Sequence, residues 1–135
     1  MTKYLAAYAA TASVIIALDL LFLGVIAKSF YQQGIGHLMA DRVNVPVAAL
    51  FYAIFAFGLM MFVVVPNASG TDWGKTLIAA ALFGFISYAT YDLTNLATLK
   101  NWPISVALVD MVWGTLVSVI AAAAGKTALD RIAAG

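Results

Sequence analysis

The chain has no cysteine, which removes disulfides, thiolate metal sites and thiol redox chemistry together. Charge is also scarce. Only 10% of the 135 residues are charged, against roughly 25% in soluble domains. A net charge of +1 gives no electrostatic basis for nucleic acid as a partner. No run of Lys and Arg offers a polybasic lipid-binding tail. The patterns H-E-x-x-H, G-x-S-x-G and the P-loop are missing, so the standard hydrolase and nucleotide routes have no support. There is no internal repeat, and nothing of low complexity beyond Ala121–Ala124.

What is present is apolar. Hydrophobic residues make up 64% of the chain, more than a soluble fold of this length can bury. The apolar runs fall at about 4–27, 45–65, 75–98 and 103–124. Each reaches the roughly 20 residues needed to cross a ~30 Å hydrocarbon core at 1.5 Å per residue. They lack the alternation of barrel strands, so they are expected to be helices. The first run is too long for a signal-peptide core, contains Asp19 and precedes no clear A-x-A site, so it is expected to be retained. The expected fold is an all-α integral membrane protein, residues 1–135 forming one domain of four transmembrane helices in an antiparallel bundle.

The punctuation fits. Pro103 suits a first helical turn, and Asp72, after Asn67, Ser69 and Gly70, suits an N-cap. Tyr4, Trp73 and Trp102 fall where aromatic side chains favour the headgroup level. The segments 66–74 and 99–102 are short, and only 28–44 is a sizeable loop; it carries His37 among other polar residues. Four spans put both termini on one side. That side holds Lys3, Lys75, Lys126 and Arg131, against Lys28, Arg42 and Lys100 on the other, which favours cytoplasmic termini.

Asp19, Asp92 and Asp110 lie inside the spans, with no Lys or Arg at their depth. A mid-bilayer carboxylate costs on the order of 2.5–3.5 kcal/mol on insertion scales, so intramembrane acids default to functional candidates. Counted from Lys28, Lys100 and Pro103, the three sit roughly 10–14 Å below one surface. Tyr52 reaches a similar level on the second helix. Helical spacing groups Tyr88, Asp92 and Asn95 on one face, Asp110 with Trp113 on another, and Asp19 with Thr11, Ala12, Ile15 and Leu23 on a third. These stripes converge on a small polar pocket beneath segment 28–44. The candidate ligand-binding set is Asp19, Asp92, Asp110, Asn95, Tyr88, Trp113, Tyr52 and His37, with Asp92 and Asp110 as candidate catalytic residues. A mixed His/Asp cation site involving His37 has the right ligand types, although a lone loop histidine is more often solvated.

Three segments carry a family resemblance. They are Thr90-Tyr91-Asp92-Leu93-Thr94-Asn95, Asp110-Met111-Val112-Trp113-Gly114, and Leu18-Asp19-Leu20 with a following Phe30-Tyr31 and Gly36-His37-Leu38-Met39. Over nearly its whole length the chain resembles the bacterial four-span membrane family catalogued as domain of unknown function 2177. The resemblance implies a multi-pass protein of the bacterial cytoplasmic (inner) membrane. It transfers no activity and no cofactor.

Three functions stay open on the residues. The first is binding or transport of a proton, a cation or a small amphipathic ligand at the carboxyl cluster. Transport would favour a homo-oligomer, because one four-helix bundle is slim for a private path. The second is an intramembrane aspartyl-type enzyme acting on a lipid or lipid-linked substrate, with Asp92 and Asp110 sharing a proton. The third is a structural accessory subunit, in which the aspartates are hydrogen-bonding glue between helices.

Overall fold

A computed structural model describes residues 1–135. Five helices account for most of the chain: α1 (Thr2–Leu21), α2 (Lys28–Ile35), α3 (Val45–Leu59), α4 (Trp73–Thr98) and α5 (Ile104–Ala134). There are no strands. A π-turn (Phe22–Ile26) prolongs α1, and a second one (Met60–Val64) prolongs α3. With those extensions four helices are long and apolar enough to span a membrane: Thr2–Ile26, Val45–Asn67, Trp73–Thr98 and Ile104–Ala134. The protein is an all-α membrane bundle.

The polar turns are fixed by side chains the sequence supplies. Asn44 caps α3, its side chain accepting from Val47 N at 3.2 Å. Asp72 caps α4 by accepting from Lys75 N at 3.4 Å. Pro103 stands at the N-cap of α5, where its missing N–H costs nothing.

Small residues line the helix seams, and large apolar ones cover the exterior. The α4–α5 seam is the tightest. A Cβ on Gly84 would collide with Ser118 Oγ and the Gly114 carbonyl, and one on Gly114 would collide with the Tyr88 ring. Helices in lipid gain nothing from hydrophobic association, so this close backbone approach and its van der Waals contacts hold them. The α1–α5 seam works the same way, with Ala7, Thr11 and Ile15 fully buried at four-residue steps and Gly125 lying against Thr11.

The fourth apolar run stops at Ala124, and α5 continues as a helix through Gly125 to Ala134. Gly125 is a point of close helix contact. Its neighbour Lys126 is 0% exposed and ties this end of the bundle together. Its ammonium donates to Asn67 O at 2.8 Å and Gly70 O at 2.9 Å, and pairs with Asp130 at 2.7 Å. Trp73 lies over it at 5.1 Å. Asp130 in turn accepts from Ser69 N at 2.7 Å, where the chain takes the left-handed turn at Ser69 (φ 61°). Lys126→Met is therefore expected to leave the carbonyls of the 66–72 turn without their donor and cost about 2–4 kcal/mol. SDS or denaturant titration of the purified protein measures this, and a change below about 0.5 kcal/mol would contradict it.

The segment 28–44 differs from the expected loop. The chain breaks at Ala27 (φ −108°, ψ 12°) and sets off again as α2, which lies across the end of the bundle against α5. Tyr31, Ala27, Trp102, Val106 and Ala107 form a second small core there. Trp102, in the connection between α4 and α5, has its ring buried in that core.

Candidate functional site

The bundle is closed at the Lys126 end and open at the α2 end. On the α2 side α3 leans on α1, and its close approach to α4 comes through the Met60–Val64 turn. The ring of Phe55 meets Phe83 and Tyr88, with centroids 5.4 and 5.9 Å apart, near the point where the two helices part. Between that point and α2 lies a partly open cavity of about 640 Å³. Residues from α1, α2, α3, α4 and α5 all line it.

Asp19, Asp92 and Asp110 are all on its wall, 3%, 0% and 9% exposed. Their surroundings differ. Asp19, near the C-terminal end of α1, accepts from Tyr52 OH through Oδ2 and from Trp113 Nε1 through Oδ1, each at 2.7 Å. Phe22 stacks on Trp113 with ring centroids 4.1 Å apart, so the indole that holds Asp19 is itself clamped. Asp110 accepts from Tyr31 OH at 2.9 Å. Asp92 receives no hydrogen bond from any N–H or hydroxyl of the chain, at either oxygen. The group it faces is the Asp110 carboxyl, close enough for the two to hydrogen-bond when one carries a proton. No Lys or Arg pairs with any of the three, since the ion pair in the molecule is Lys126–Asp130.

The series runs from saturated to unsatisfied. Asp19 already has a donor on each oxygen and acts as a knot between α1, α3 and α5. Asp92 is a buried acceptor with nothing donating to it, a state that costs free energy unless something else supplies the donor. Two facing carboxylates need a proton or a positive group between them. The Asp92–Asp110 pair is thus the chemically available part of the site.

Of the other residues singled out from the sequence, Tyr52 and Tyr88 line the cavity. Trp113 stands behind Asp19 and reaches it by hydrogen bond. Asn95, one turn beyond Asp92, is half-buried and does not line the cavity. His37 is exposed in the short turn Gly36–Leu38 after α2, away from the cavity wall. It joins no group of acidic side chains suited to a metal ion. Several wall residues carried no signal in the spacing. Tyr31, Lys28 and Gln32 come from the segment that reads as a polar loop, and Trp102 from a short connection. Tyr91 packs edge-on to Trp102 with centroids 5.7 Å apart. The one available hint was that 28–33 combines aromatic and polar residues at helical spacing.

Fold and site together define a four-helix membrane protein with a cavity lined by three aspartates. The family model described as "Predicted membrane protein (DUF2177)" matches residues 4–127, and the chain belongs to that family. The matched stretch includes every residue of the cavity wall. No curated protein and no solved structure matches the chain.

Proposed function

We propose that the protein binds a small amphipathic molecule, held with its polar end at the Asp92–Asp110 pair and its apolar part along the aromatic wall. The observation that carries this reading is the cavity of about 640 Å³, which combines a mostly apolar lining with a buried, unsatisfied carboxyl. Pockets of this size and composition suit ligands with one oriented polar group. The wall residues Phe51 and Phe55 on α3 and Ser87 and Tyr91 on α4 lie within the apolar length of both helices, which supports loading from the bilayer.

Binding is favoured over transport because the cavity belongs to one half of the bundle. Below it, Leu59, Val63, Val64 and the glycine seam fill the interior. A single chain supplies all the cavity walls, so the reading requires no oligomer. The excess of Lys and Arg beside the termini supports placing them in the cytoplasm, with the cavity in the opposite leaflet; the setting is then a bacterial inner membrane.

The test is melting temperature in a defined detergent against single-chain amphiphiles, each carrying an oleoyl or oleyl chain. A ligand at a hundred times its Kd stabilises by about 2.7 kcal/mol. Gly24→Phe provides the control. Gly24 lines the cavity and a Cβ there meets nothing within 4 Å, so the ring is expected to take up cavity volume. Wild type is expected to gain stability and Gly24→Phe to lose the gain. A flat response from wild type to the whole series would end the proposal.

One observation favours a second reading. Asp92 and Asp110 lie within hydrogen-bonding reach of each other, the arrangement by which two carboxyls activate water. On that reading the bound amphiphile is a substrate, and vesicle lipids incubated with the protein give hydrolysis products by mass spectrometry. Asp92→Asn and Asp110→Asn would then each abolish them; products that persist in either variant exclude the dyad.

A further inference from the structure

The proposed ligand pocket contains unsatisfied groups of both kinds. Asp92 presents two buried oxygens without a donor. Trp102, on the same cavity wall, has a buried indole N–H without an acceptor. Both line the same cavity. Tyr91, next to Asp92 in the chain, packs against the Trp102 ring. A molecule that satisfies both must donate and accept at its polar end.

This requirement discriminates among head chemistries. A divalent cation or a primary ammonium satisfies Asp92 but can only repel or ignore the indole N–H, since neither has an acceptor. A phosphate or a fatty-acid carboxylate accepts from Trp102 but meets three buried acids, with Lys28 the one cationic residue on the wall. A hydroxyl donates one hydrogen bond and accepts others. Two adjacent hydroxyls could reach both Asp92 and Trp102, with Gln32 on the same wall available to the second.

Resting on the amphiphile reading above, we propose that the cavity selects a neutral, hydroxyl-bearing head: an acylglycerol-type alcohol, with its chain along Phe51 and Phe55. Asp92 takes the hydroxyl proton in a hydrogen bond, and Trp102 donates to the hydroxyl oxygen. Trp102 is a specificity residue here, because it separates an alcohol from an amine of the same chain.

The experiment compares three probes of matched chain length in phosphatidylcholine nanodiscs: 1-monooleoylglycerol, oleylamine and oleic acid, with magnesium chloride alone as a fourth arm. Affinity is read from the tryptophan emission of a Trp73→Phe background, which leaves Trp102 on the cavity wall and Trp113 behind Asp19. Monooleoylglycerol is expected to bind at least about tenfold tighter than either other amphiphile, and magnesium alone to leave the emission unchanged. Trp102→Phe, read through Trp113, keeps the packed ring and removes the donor. It is expected to weaken the alcohol about tenfold and to leave oleylamine unaffected. Tightest binding by oleylamine, or an alcohol affinity untouched by Trp102→Phe, overturns the hydroxyl assignment while leaving an amphiphile pocket. Failure of all three amphiphiles removes both. A magnesium response that exceeds theirs assigns the pair to a cation instead.

Discussion

Asp92→Asn is expected to make the protein more stable and to weaken ligand binding, while the same substitution at Asp19 makes it less stable. Asp92 and Asp110 face each other with no other donor to Asp92. An asparagine amide supplies a donor to Asp110 and removes one of two facing acids, a gain of about 1 kcal/mol. Asp19 has the opposite environment. Both its oxygens accept at 2.7 Å, from Tyr52 and Trp113. An amide there turns one acceptor into a donor aimed at a donor, and the loss is about 1–3 kcal/mol. Parallel SDS titrations of the two variants measure the signs. If the aspartates were glue between helices, both substitutions would destabilise, by roughly 0.6–2 kcal/mol each. A stability gain at the cost of binding is the usual mark of a group retained for function. Equal losses at the two positions would return Asp92 to a structural role.

The second large effect lies in the α4–α5 seam. Gly84→Leu is expected to prevent recovery of a monodisperse, folded protein. Its Cβ would meet Ser118 Oγ and the backbone carbonyl of Gly114, and backbone cannot step aside as a long side chain can. Overpacking in a filled core costs about 1–3 kcal/mol even where side chains give way, and this site exceeds that. Size-exclusion profiles after mild detergent extraction report the outcome. Gly24→Leu is the matched control, since a Cβ at Gly24 has nothing within 4 Å. It is expected to stay within about 0.5 kcal/mol of wild type. Equal behaviour of the two variants would show that α4 and α5 are not held by close approach.

Much of this was legible because membranes impose simple rules. Span length follows from hydrocarbon thickness, so four apolar runs gave four helices. Counting residues to the span ends puts the aspartates at one level, and Asp19, Asp92 and Asp110 all line one cavity. Rotation about each helix was less legible. Asn95 shares the Asp92 face by spacing, but the cavity does not extend to it. The polar composition of 28–44 concealed α2, because a short helix lying on a bundle end needs only one buried face, and Tyr31 supplies it. Packing at Gly125 and Trp102 was not legible either. Hydropathy marks where an apolar run ends, but does not show that two helices touch at Gly125 or that a small core surrounds Trp102.

The placing of small residues in the seams and large apolar ones outside divides the chain by its tolerance of change. Leu82, Phe85, Ile86 and Leu93 on α4, and Leu108, Val112, Leu116 and Ile120 on α5, face outward and are more than a third exposed. Lipid tails accept any bulky apolar group, so these positions are nearly interchangeable with one another. Gly84, Gly114 and Gly125 accept almost nothing else. The bulky residues that make the chain recognisable as a membrane protein are therefore the ones free to drift. What specifies this particular bundle is written in its smallest side chains.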